Sequence, residues 1–124
     1  MTVLLVGLGG GTGAAARYLV DLLATRMFGL AFPVGTMAVN VIGSFLMGVL
    51  VVWLAKRGEA SDAMRLMLGT GFLGGFTTFS TFSLNAVTLW EREAYSLATL
   101  YVAGSVVLGV AALLAGLAIG RNVL

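Results

Sequence analysis

The residues able to do chemistry gather in one stretch, Gly71-Phe72-Leu73-Gly74-Gly75-Phe76-Thr77-Thr78-Phe79-Ser80-Thr81-Phe82-Ser83-Leu84-Asn85. Its groups are hydroxyls, an amide and phenyl rings, with no acid or base among them. That chemistry is binding rather than bond-making. A phenyl ring presents a positive edge, which stabilises a small anion weakly, and weak binding at successive sites is what conduction needs. Gly71, Gly74 and Gly75 penalise a continuous helix. A break there exposes carbonyls suited to a hard cation such as Na⁺ and, at the start of the following half-helix, N–H groups suited to an anion. On a helical wheel Phe79, Phe82, Ser83 and Ala86 share one face, and Thr78, Thr81, Asn85 and Thr88 the adjacent one. The spacing predicts a phenylalanine ridge beside a polar stripe, set against two plainer roles: ordinary aromatic packing, and hydroxyls bonded back to the preceding turn.

The rest of the chain excludes most enzymology. Histidine and cysteine are absent, which removes disulfides, thiol chemistry, haem ligation and the usual zinc sites. No paired carboxylates lie in an apolar segment, and the only acid within an expected span is Asp21, one turn from Arg17. Those two are spaced to pair; the alternative is that Arg17 faces a water-filled vestibule and attracts anions. A proton-coupled antiporter needs an isolated carboxylate at membrane depth, and none of the central spans has one. Gly9-x-Gly11-x-x-Ala14 imitates a dinucleotide fingerprint but has Val34 where the acid belongs. No Lys or Arg precedes the first apolar run, so it makes a poor signal peptide. What remains is passive passage of an uncharged or anionic species.

The elements that must position these groups are membrane helices. Of 124 residues 60% are hydrophobic and 10% charged, with a mean hydropathy of +1.06. Uncharged runs cover Met1 to Ala16, Met27 to Ala55, Leu66 to Trp90 and Ala94 to Gly120. The last three exceed the ~20 residues that cross a bilayer, and the first does so if Arg17 and Asp21 are included. The expected fold is all-α and integral to the membrane. One domain, residues 1–124, has four spans at about 3–24, 33–55, 63–90 and 95–120, the third broken near 74–78. Non-helical backbone at that depth survives only where protein buries it or it lines a cavity. Pro33 starts the second helix, where its missing N–H costs nothing, and Ser61 or Asp62 caps the third.

On the second span Thr36, Asn40, Gly43, Ser44 and Met47 share a face. Asn40 is either interhelical glue or a donor aimed at a permeating anion. On the fourth, Tyr101, Gly104, Ser105 and Leu108 share a face, and Gly116-x-x-x-Gly120 is a helix-packing motif. With four spans, Lys56, Arg57, Arg65 and Arg121 fall on one side and Arg26 and Arg92 on the other, with Arg17 near them. That is a weak topology signal and no nucleic-acid footprint.

Three motifs carry a family resemblance: Gly10-Gly11-x-Gly13-Ala14-x-x-Arg17-Tyr18, Gly35-Thr36-x-x-Val39-Asn40-x-x-Gly43-Ser44-Phe45, and Gly71-Phe72-x-Gly74-Gly75-Phe76-Thr77-Thr78-Phe79-Ser80-Thr81-Phe82-Ser83. With them the chain resembles, over nearly its whole length, the CrcB/Fluc family of small fluoride channels. The resemblance implies an antiparallel homodimer with two pores and dual topology in the plasma (inner) membrane, and passive export of fluoride that limits its toxicity. It implies Phe79 and Phe82 as pore-lining rings, Asn40 as the pore amide, and Thr81 and Ser83 on the pore wall. Tyr101 and Ser105 support the pore from the last helix, and Arg17 stands near a vestibule. Gly74 and Thr77 offer backbone carbonyls to a structural Na⁺ at the dimer interface. The partners implied are fluoride, lipid and a second copy. One departure is Asn85, at the end of the polar track, where family members often carry Glu. The competing reading is a dual-topology multidrug or cation antiporter of similar size.

Overall fold

A computed structural model describes residues 1–57 and 62–124. Ser61, one of the expected caps, lies outside the described residues. The described residues form helices only. Helix α1 runs Thr2–Phe28 and α2 Val34–Arg57. Helix α3, residues 62–76, is three contiguous pieces: Asp62–Met64, a π-helical Arg65–Leu73, and Gly74–Phe76. Two extended residues, Thr77 and Thr78, lead into α4, Phe79–Glu91, and α5 spans Tyr95–Val123. Helices α1, α2 and α5 are each long and apolar enough to cross a membrane. Residues 62–91 are interrupted at 77–78, so neither piece alone has that length.

Local chemistry explains the boundaries. Pro33 precedes α2 rather than starting it: its carbonyl accepts from Met37 N–H at 3.3 Å, the role of an N-cap. Gly29, at φ 78°, ends α1 in the left-handed region that glycine tolerates. Asp62 opens α3 and pairs at 3.2 Å with Arg65 on the exposed surface. At the far end of α2 the Arg57 guanidinium lies 4.4 Å over the Trp53 ring, while Trp90 and Tyr95 meet edge to face at 4.5 Å across the α4–α5 turn. Such aromatics suit the two membrane–water boundaries.

The helices close on one another through small residues. A side chain at Gly13 of α1 would strike the Phe72 carbonyl and the Phe76 nitrogen of α3. On the other side, Gly116 of α5 lies against the Phe45 carbonyl of α2, and Gly120 meets Val52. The Gly116-x-x-x-Gly120 motif therefore packs α5 onto α2. Between α4 and α5 a buried cluster of Leu89, Ala98 and Tyr101 carries Phe32, Met37 and Phe82 around it. Outward-facing leucines and valines, such as Leu19, Leu23, Val107, Val110 and Leu114, are exposed, the arrangement lipid requires rather than water.

Candidate pore and backbone break

At the break each freed backbone group needs a partner. Thr77 turns both its N–H and its hydroxyl onto the Leu73 carbonyl, at 3.0 and 2.9 Å. Asn40, reaching from α2, binds Thr78 in both directions: Thr78 N–H donates to Asn40 Oδ1 at 2.8 Å, and Asn40 Nδ2 donates to the Thr78 carbonyl at 3.1 Å. The side-chain amide thus substitutes for a missing turn of helix. Thr78 Oγ1 accepts from Thr81 N–H at 3.2 Å and caps α4. Arg17 Nε, from α1, donates to the Gly75 carbonyl at 3.0 Å. Among the described residues no donor reaches the carbonyls of Gly74 or Thr77, and no acceptor meets the N–H groups of Phe79 and Ser80.

A cavity of about 370 Å³ opens beside the break. Asn40, Gly74, Thr77, Phe79, Phe82 and Ser105 all line it. The Phe79 and Phe82 rings stand 5.7 Å apart at 39°, and Phe82 continues to Tyr101 at 5.2 Å. Ser105 lines the cavity, and its Oγ is buried with no partner among the described residues. No acid or base lines this cavity. Phenyl rings, hydroxyl residues and one side-chain amide line it, a set that suits weak binding of a small anion and not acid–base chemistry.

Other predicted residues lie elsewhere. Tyr101 is fully buried behind Phe82 and forms the wall rather than the lining. Asn85 Nδ2 donates to Thr36 Oγ1 at 3.0 Å and to the Tyr101 hydroxyl at 3.3 Å, tying α4 to α2 and α5. Thr81 and Asn85 face away from the rings, toward two smaller polar cavities of about 90 and 190 Å³ against α1; Arg17 lines the smaller one. The Ser83 hydroxyl bonds back to the Phe79 carbonyl at 3.0 Å and lines none of these spaces.

Two pairs of alternatives left open by the sequence can be compared with the structure. Arg17 and Asp21 do not pair; the Arg65–Asp62 pair is the one ion pair among the described residues. The reason is competition: the carbonyl of Gly75, left without a helical donor, draws the guanidinium across to α3. The free amide donor expected of Asn40 is in part committed, because Nδ2 already serves Thr78. Sequence reasoning missed Thr78 as the point that α2 grips. The only signal was an amide on one span and a break on another.

Comparison with known proteins adds what geometry lacks. Residues 4–117 match the family model described as CrcB-like protein, Camphor Resistance (CrcB). The chain belongs to the CrcB family. It is 53% identical over 122 residues to the fluoride-specific ion channel FluC of Agrobacterium fabrum, covering 98% of each chain. It is 58% identical over 121 residues to the fluoride-specific ion channel FluC of Cereibacter sphaeroides, covering 98% of this chain and 95% of that one. A third relative of the same name, from Caulobacter vibrioides, is 52% identical over 122 residues, 98% of this chain and 96% of its own. With this family and its apolar helices, the protein is an integral, multi-pass membrane protein.

Proposed function

We propose that this protein is a passive fluoride channel that lets the ion leave the cytoplasm, working as an antiparallel dimer. The observation that carries the reading is the cavity beside the break: two phenyl rings, an amide and an unpartnered serine hydroxyl, with no ionisable group. Fluoride is small, strongly hydrated and a strong hydrogen-bond acceptor. Phenyl edges and fixed donors replace its water weakly enough to release it. Relatives named as fluoride-specific channels support the same ion. The antiporter alternative has no carboxylate in this cavity to exchange a proton.

The dimer reading rests on what one chain leaves uncovered. Phe79 is 78% exposed although it lines the cavity. Gly74 and Ser80 beside it are exposed as well, with backbone groups that lipid would not satisfy. A second copy covers them. In an antiparallel pair the open carbonyls of Gly74 and Thr77 meet their counterparts, and a Na⁺ held between the copies takes these oxygens as ligands. The donor set fits: neutral carbonyls are ligands of hard cations, and the neighbouring carbonyls of Leu73, Gly75 and Thr78 are already engaged. Residues 62–91 then serve as the third of four spans, broken at 77–78. Dual insertion agrees with the weak charge bias of the loops.

The reading is tested by fluoride efflux from proteoliposomes carrying wild type or Phe82→Ile. Expected is rapid release by wild type and its loss in the variant, with both running as dimers in detergent. Equal release by the two removes the rings from the pathway.

A further inference from the structure

Asp21 plays no part in the mechanism so far, yet the fold reserves a position for it. It lines both polar cavities on the α1 side of the break, with Gly35, Thr36 and Thr81 common to the two and Asn85 at the larger. Its side chain lies on the first turn of α2. A Cβ at Gly35 would strike Asp21 Oδ1 and Cα, so only glycine lets the carboxylate approach. Arg17, the neighbour one turn away, is turned onto the Gly75 carbonyl. Across the cavities α2 contributes Gly35 and Thr36, the break Thr78, and α4 Thr81 and Asn85, all uncharged; Arg17 is the other charged residue, at the smaller cavity only. Thr78 lines both the smaller polar cavity and the phenylalanine cavity, so the two spaces adjoin at the break.

We infer that Asp21 is an electrostatic brake at the polar entrance: its negative charge opposes fluoride on the way to the rings and sets how steeply throughput depends on ionic strength. The inference rests on the fluoride-channel reading. The same carboxylate near the start of α2 also favours the helix dipole. Stability alone therefore does not separate the two roles, whereas the salt dependence of flux does.

The test is fluoride efflux from proteoliposomes at ~10 mM and at ~1 M ionic strength, where the screening lengths are about 30 and 3 Å. It compares wild type, Asp21→Asn and Asp62→Asn per reconstituted dimer. Removing a like charge from the cavity wall speeds Asp21→Asn roughly two- to five-fold at low ionic strength. The advantage shrinks toward none at high ionic strength. Asp62→Asn, at the exposed start of α3, matches wild type at both. Asp21→Ser, small enough for the place beside Gly35, repeats the result if the asparagine variant fails to fold. Wild-type flux with an Asp21 variant no faster at low ionic strength, or faster by the same factor at both, overturns the brake and leaves the channel reading standing. No fluoride release by wild type overturns both.

Discussion

Asn40 has one side chain and two bonds to the same residue, and that pairing holds the break in shape. Replacing it with alanine leaves the N–H and the carbonyl of Thr78 without partners. Asn40→Ala is expected to lose about 2–3 kcal/mol of stability, read as a lower melting temperature in detergent, together with loss of flux. Asn40→Asp keeps the acceptor for Thr78 N–H but turns a carboxylate oxygen toward the carbonyl, so it fails as well. Full stability in both variants contradicts the pairing. At this scale the sequence was partly legible. The wheel separates Phe79 and Phe82 from Thr81 and Asn85, and the structure puts the two sets toward different cavities. It could not tell that Asn40 meets Thr78, because a helical wheel gives direction about one axis and says nothing of the height at which a second helix passes. For the same reason the sequence left open whether Arg17 and Asp21 pair. Their spacing along α1 was visible; the carbonyl of Gly75 competing from 58 residues away was not.

Among the helices, close approach rather than hydrophobic drive joins the elements, since lipid is as apolar as leucine. Gly13 and Gly7 make a controlled comparison on α1. A methyl at Gly13 meets the backbone of Phe72 and Phe76, whereas one at Gly7 meets nothing within 4 Å. Gly13→Ala is expected to cost about 2–3 kcal/mol or to prevent folding, and Gly7→Ala to be neutral; folded yield and melting temperature check both. Helix existence was readable from uncharged runs, because a bilayer demands length and apolarity together. The π-helical winding of Arg65–Leu73 was not, since no residue type signals an i→i+5 register. Gly69 and Gly71 lie within it, and a Cβ at Gly71 would come within 3.0 Å of the Val6 carbonyl of α1.

The whole molecule is an apolar body whose polar break opens on an exposed face. That mismatch is the argument for a second copy and for a cation between the copies. If Na⁺ is held by Gly74 and Thr77 carbonyls, exchange into buffer with a bulky organic cation lowers the dimer's melting temperature and its flux, and restoring Na⁺ recovers both. Unchanged values after thorough Na⁺ removal contradict the cation. Composition carried the membrane setting directly, and missing histidine and cysteine removed imidazole and thiol chemistry. It carried no information on assembly, which depends on surface the single chain leaves open.

The central claim is that the space beside the break passes fluoride and rejects other halides. Proteoliposomes loaded with fluoride and chloride together, read with an electrode for each, test it most directly. The account predicts fast fluoride release with chloride retained at the level of empty liposomes. Release of both ions at similar rates, or of neither, contradicts it.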